Sequence, residues 1–334
     1  MMSNKKILLN IFGLKLSIEG RPNIIEWVRH DYGRYVIAGS DDQGFFCFRL
    51  NSDEPKYDAL PSVPAEAYHD DYIVYDAGGD RYLDFFGRAL AIYKINVSIE
   101  ITCFDPDRLY DIFYLLFESW LTEALGKRGL HPIHCFAVEK NGQATIVLLP
   151  PGGGKTTLAL KFLEQKECKV LSEDIAVYFD GRVHGLHFRW GSRCKLSDRE
   201  RLMKREKHSN KYLIDVSGLE LAESARPVNL VVGRRLLSGE SQIHPFPRRK
   251  LFWILFKNMV LGLELQQSFA IFLVRSLKED FGIFTLIVKR FFSMIRLFIN
   301  CKSFVMEMGS GSDSDFNLLN DFIEVGSGPR PSPG

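Results

Sequence analysis

The stretch Leu149-Pro150-Pro151-Gly152-Gly153-Gly154-Lys155-Thr156-Thr157 constrains this chain more than any other part of it. It follows a short apolar run, Ala144 to Leu148, and precedes a helix-like one, Leu158 to Leu163. A strand, a glycine-rich turn and a helix opening on Lys-Thr make a cradle for phosphate. Glycines let backbone N–H groups point inward with no Cβ in the way, and the helix N-terminus adds partial positive charge. In such a cradle Gly152, Gly153, Gly154, Lys155, Thr156 and Thr157 surround a nucleotide's phosphates. Lys155 reaches the β- and γ-phosphates, and the Thr156 hydroxyl ligates Mg²⁺.

The stretch departs from the P-loop consensus at its start. Leu149 stands where a glycine is usual, while Pro150 and Pro151 stiffen the loop and remove N–H donors. An ordinary left-handed turn before a helix is the plainer reading, but turn chemistry alone rarely yields G-G-G-K-T-T between a strand and a helix.

Bulk properties narrow the classes. Apolar residues are 46% of the 334 and charged residues 25%, as in a globular chain long enough for two domains. A net charge of +2 gives no global field toward nucleic acid. The charge is local instead: Arg189, Arg193, Lys195, Arg199, Arg201, Lys204, Arg205, Lys207 and Lys211 outnumber Asp198, Glu200 and Glu206. Without aromatic interleaving that run does not read as a nucleic-acid site. It reads as a solvated loop, or as one that faces phosphate or docks an acceptor through Arg189, Arg193 or Lys195. Cys47, Cys103, Cys135, Cys168, Cys194 and Cys301 show no pairing pattern, which predicts free thiols and a cytoplasmic setting. No cleavable signal is expected, because Asn10 and Gly13 interrupt the apolar N-terminus. Charges such as Lys257, Glu264, Arg275, Lys278, Glu279, Asp280, Lys289, Arg290 and Arg296 break the greasy region 251–299, so no transmembrane span is expected. Its aromatics, mixed with Lys and Arg, resemble an interfacial helix set, but core and homo-oligomer packing is the expected use.

Residues 1–127 read as a β-rich N-terminal domain with strands near 7–18, 34–38, 44–50, 71–75 and 91–103. It closes with a helix capped by Asp105, begun by Pro106 and ended by Gly126. Residues 128–325 read as an α/β P-loop domain: strand, loop, helix, a strand at 168–171, a hairpin turning at Asp180-Gly181, a strand at 228–232, helices over 251–300, a strand at 304–308 and a helix at 315–323. Gly309 to Ser314 and residues 326–334 read as mobile segments. His131-x-x-His134 and His184-x-x-His187 lie in extended context with no cysteine pair, which argues against zinc.

Phosphoryl transfer also needs carboxylates, and Glu173-Asp174 sits at the end of the strand after the P-loop helix. Adjacent residues there point to opposite sides, so one can face a metal and the other an acceptor.

The order L-H-P-I-H-C-F-A-V, G-Q-A-T-I-V-L-L-P-P-G-G-G-K-T-T-L-A-L and V-L-S-E-D-I-A-V resembles the kinase domain of HPr kinase/phosphorylase. It is most similar to that family's looser, HPr-kinase-related members, some of them resembling peptide kinases. The resemblance covers about residues 130–190. It implies a P-loop kinase domain of the HPr-kinase type using ATP and Mg²⁺. His134 corresponds to the histidine near the transferred phosphate. Glu173 corresponds to the base-like carboxylate and Asp174 to the metal-linked one, with Lys155 and Thr156 on phosphate and metal. Thr157 replaces the acidic residue often found after the Lys-Ser pair. The glycine-rich signature with an embedded arginine is missing, which argues against the reverse reaction and against HPr as substrate. The expected activity is transfer to a serine or threonine hydroxyl of a small protein or peptide. A metabolite kinase and a nucleotide-sensing scaffold without turnover stay open beside it.

Overall fold

A computed structural model describes residues 4–39, 42–58, 60–150, 152–192, 195, 201–203, 211–261, 281–309 and 311–326. The protein is mixed α/β and divides into two compact units. One is built mainly from Met1–Leu121 with Phe188–Ser217, the other from Thr122–His187 with Gly218–Phe269 and Leu277–Gly334.

The first unit opens with a hairpin of β1 (Lys5–Ile11) and β2 (Leu14–Gly20). Its turn residues Phe12 and Gly13 take φ of 50° and 80°, the tight geometry that follows strand twist. Helix α1 (Pro22–Tyr32) has proline in its first turn and buries Ile24, Ile25, Val28 and Tyr32. Then come β3 (Val36–Ile37), β4 (Phe46–Asn51), β5 (Ala67–Tyr68), β6 (Ile73–Ala77), β7 (Asp80–Asp84), β8 (Ala89–Lys94) and β9 (Ser98–Cys103). They form a nine-stranded sheet in the order β3-β1-β2-β4-β9-β8-β7-β6-β5. Helix α2 (Pro106–Lys127) is capped by Asp105, whose Oδ1 accepts the Asp107 N–H at 2.9 Å. It runs through Gly126, the stop expected from sequence. The chain turns instead at Gly129, φ 80°, where the Leu130 N–H returns to the Leu125 carbonyl.

Next along the chain are β10 (His131–His134), β11 (Phe136–Lys140), β12 (Gln143–Leu148), α3 (Lys155–Leu163), β13 (Lys169–Ser172), β14 (Ile175–Phe179) and β15 (Arg182–Gly185), all in the second unit. The basic segment follows and belongs to the first unit, where β16 (Trp190–Ser192), β17 (Arg201–Met203) and β18 (Lys211–Ile214) form a small sheet in the order β16-β18-β17. Arg189 and Arg201 approach Asp31 Oδ2 at 3.0 and 2.9 Å, and Tyr110 donates to the same oxygen at 2.7 Å. Burial alone would raise the Asp31 pKa, but Arg189, His30, Arg201 and Tyr110 outweigh it and hold the carboxyl below its ordinary range. Arg189 is therefore a buried ion-pair partner rather than a residue facing phosphate or an acceptor. Arg193, Cys194, Arg199, Lys204, Arg205 and Lys207 lie outside the described residues.

The second unit is organised around β19 (Ser224–Arg235), longer at both ends than the strand expected at 228–232. It runs parallel to β12 and, after β20 (Gln242–Pro245), to β21 (Lys302–Met308). The sheet order is β10-β14-β15-β19-β12-β11-β13, with β21 beside β19 and β20 beside β21. Helix α4 (Arg248–Leu255) continues into a π-helical turn (Phe256–Val260), and α5 (Phe281–Asn300) and α6 (Ser312–Gly326) complete the unit. Leu251, Leu255, Met294 and Leu297 pack with sheet residues Ile146, Leu148, Leu230, Val232 and Val305 in its core. Ser312 to Ser314, expected as mobile, form the first turn of α6. The tail 327–334 and the charges Glu264, Arg275, Lys278, Glu279 and Asp280 are outside the described residues. Among the described residues no helix is long and apolar enough to cross a membrane.

Candidate functional site

The parallel strands β12, β19 and β21 end together, and their carboxyl ends bear the glycine loop, Arg235 and Gly309. In open α/β sheets that edge is where ligands bind. Gly152 and Gly154 take φ of 75° and 103°, and the Gly153 N–H bonds the Pro150 carbonyl at 2.9 Å. Gly154 is the residue before α3, which has no side-chain cap. Glycine has no side chain to cap the helix, and a helix N-terminus turns its amides and its dipole toward an anion. Pro151 is outside the described residues.

Leu149, where the consensus has glycine, is buried, and the fold makes room for it. A Cβ on Gly233 would lie 2.9 Å from Leu149 Cγ, and one on Gly153 3.3 Å from Leu149 Cβ. The side chain thus sits over two glycines, one in the loop and one on β19.

Five of the expected residues come together: His134, Lys155, Thr156, Glu173 and Asp174. Lys155 Nζ lies 2.9 Å from His134 Nε2 and 3.3 Å from Asp174 Oδ1, and it donates to the Leu149 carbonyl at 3.3 Å. His134 Nε2 is in turn 2.8 Å from Asp174 Oδ1. One ring nitrogen cannot donate to the carboxylate and accept from the ammonium at once. In either tautomer Nε2 therefore engages only one of the two, and Lys155 also has Asp174 and the Leu149 carbonyl as partners. Thr156 Oγ1 donates a hydrogen bond to Glu173 Oε1 beside it. The two carboxylates differ in access: Glu173 is 8% exposed, whereas the Asp174 side chain is 47% exposed. Thr157 is exposed in the first turn of α3 and Gly152 is exposed in the loop.

Three supporting residues escaped the sequence reading. Asn258, in the π-helical turn, clamps both backbone atoms of His134: its Oδ1 accepts the His134 N–H at 3.1 Å and its Nδ2 donates to the His134 carbonyl at 3.0 Å. Arg235 Nη1 donates to the Gly309 carbonyl and to Asp315 Oδ2, both at 2.9 Å, which aims Nη2 at the loop. A Cβ on Gly154 would meet that Nη2 at 2.9 Å. Gly233 is the third. Only Arg235 left a trace in sequence, as a cation just past an expected strand; the other two depend on distant pairings.

Two further histidines of the His-x-x-His pairs have structural places. His187 Nε2 is 3.0 Å from the Ala222 carbonyl, and His131 is buried on β10. Among the described residues no group of three or more His, Cys, Asp or Glu is placed to hold a metal. No family model matches the sequence, and no curated protein matches it significantly.

Proposed function

We propose that the second unit is a P-loop kinase of the HPr-kinase type, using ATP and Mg²⁺ to phosphorylate a serine or threonine hydroxyl of a small protein or peptide. One observation carries the reading: Lys155, His134 and Asp174 lie within 3.3 Å of one another beside a glycine loop whose Thr156 is bonded to Glu173. The motif resemblance over residues 130–190 supports it independently. The described cysteines are all buried, which fits a reducing cytoplasm.

The residues present fit the two ligands. A Cβ on Gly153 would lie 2.9 Å from the Pro150 carbonyl, so the loop keeps its tight curve, with amides free to turn toward a phosphate, only while that position is glycine. Thr156 and Glu173, a hydroxyl and a carboxylate on one spot, are the hard oxygen donors Mg²⁺ takes, with phosphates and water completing its shell. When bound, ATP supplies the phosphoryl group and the metal offsets its charge. Lys155 and Arg235 hold phosphate oxygens from two sides. The access of the two acids favours the reverse of the roles implied by resemblance. Glu173, buried and bonded to Thr156, serves the metal side. Asp174, half-exposed and against His134, takes the proton of the acceptor hydroxyl, while His134 orients the carboxylate and shares that proton.

The test is transfer of labelled γ-phosphate from Mg·ATP to serine- and threonine-containing peptides by the full-length protein. Transfer lost in Lys155→Ala supports the reading; transfer that persists in that variant refutes it.

A further inference from the structure

Helices α4 and α5 carry a surface that the phosphate site does not use. Their rings meet in a continuous strip: Phe252 lies 5.8 Å from Phe298, and Phe256 lies 6.4 Å from Phe291. The strip reaches solvent at both ends. Trp253 packs edge-on against Phe252 and Phe256 at 5.7 and 5.8 Å, and Phe292 against Phe291 at 5.9 Å. Yet Trp253 remains 54% exposed and Phe292 65%. Further along α5, Phe284 and Ile299 are each 66% exposed. At 3.6 residues per turn, Phe284, Phe292 and Ile299 fall within an arc of about 80°. They form one stripe, with Lys289 and Arg296 exposed along its flank.

Charge decides what covers this stripe. Neither 247–261 nor 281–300 contains a single Asp or Glu, while Arg249, Lys250 and Lys257 are exposed on the α4 side. A second copy of the chain docked symmetrically here would set those cations against their own images, an unfavourable arrangement. An acidic membrane complements both halves. Its acyl boundary takes the aromatic stripe and its head-group phosphates take the flanking cations. Exposed Trp and Phe beside Lys and Arg are the composition of helices that lie in such an interface. Neither helix is long and apolar enough to cross a membrane, so the fit is to its surface.

We propose that the α4–α5 face docks the protein on an anionic phospholipid surface. The proposal is independent of phosphoryl transfer. Full-length protein is sedimented with vesicles of phosphatidylcholine alone and with phosphatidylcholine–phosphatidylserine vesicles, at low and high salt. Binding to the acidic vesicles, weakened by salt, is expected. Trp253→Ser with Phe292→Ser should lower partitioning at least about tenfold. Lys289→Glu with Arg296→Glu should abolish the preference for acidic lipid. All four positions are exposed, and an unchanged melting temperature certifies each variant; the charge pair alone decides if the aromatic pair unfolds. Wild-type protein that stays in the supernatant overturns the proposal. So does binding that neither pair changes, or self-association through this face that the same variants abolish in place of lipid binding.

Discussion

Replacing Gly233 with alanine would insert a methyl group into the space that Leu149 occupies. The new Cβ would lie 2.9 Å from Leu149 Cγ and closer still to one of its methyls. Carbon–carbon contacts settle near 3.5–4.0 Å, so Leu149 must move by roughly 1 Å or change rotamer. It has little freedom to do so, being 1% exposed with its carbonyl bound to Lys155. Overpacking of this kind costs about 1–3 kcal/mol. Leu149→Ala alone should cost about 2–5 kcal/mol through the cavity it leaves. In the double variant the added methyl enters that cavity, so the two losses should not add. A coupling of about 0.5–3 kcal/mol is expected from the four midpoints of a urea unfolding series. Strict additivity would show that Leu149 does not pack on Gly233, and with that the account of why leucine can stand in a glycine's place would fall.

Glu173→Gln should weaken Mg²⁺-dependent nucleotide binding, whereas Asp174→Asn should keep binding and lose turnover by roughly the 10²–10⁴-fold of a missing general base. Calorimetry beside a turnover assay would separate them, and the opposite pattern would restore the roles implied by resemblance. Arg235→Gln removes a charge-assisted contact worth about 1.5–3 kcal/mol, so Mg·ATP affinity should fall about tenfold or more, with Arg235→Lys recovering part of it. Unchanged affinity for both variants would place Arg235 outside the phosphate site. Burial, with Arg290 and Lys289 nearby, pushes the His131 pKa from 6.5 down to about 4. The unfolded chain therefore gains a proton near pH 6.5 that the folded chain refuses. This costs stability as pH falls from 6.5 to about 4, at up to roughly 1.4 kcal/mol per pH unit, and nothing further below. Melting temperatures of His131→Leu should fall less steeply over that window; a slope equal to wild type would refute the assignment.

Local signals made much of this fold readable. The capped start of α2, the strand before the glycine loop and the β14–β15 turn at Asp180-Gly181, with φ of 47° and 74°, each depend on a few adjacent residues. So does the C-terminal helix, although its start at Ser312 lay inside a segment rich in Gly and Ser. Helix α1 was hidden in a β-rich stretch because it is only 11 residues long and its buried face alternates with charge. The basic segment looked like a loop, since nothing nearby in sequence shows that Asp31 receives Arg189 and Arg201. The same limit applies to the candidate site. Lys155, Glu173 and Asp174 were legible because short motifs announce them, whereas His134 stood out only through the family resemblance. Asn258 and Gly233 act only through strands and turns brought together by the sheet, and no periodicity or motif marks them.

The glycine loop, with Lys155 at its helix start, is proposed to hold the phosphates of a magnesium nucleotide. Isothermal titration of the full-length protein with Mg·ATP, alongside Lys155→Ala, tests it most directly. Saturable binding by wild type, weakened at least about tenfold in the variant by loss of a charged contact to phosphate, is the predicted result. No binding by wild type, or equal affinity in a folded Lys155→Ala, would contradict it.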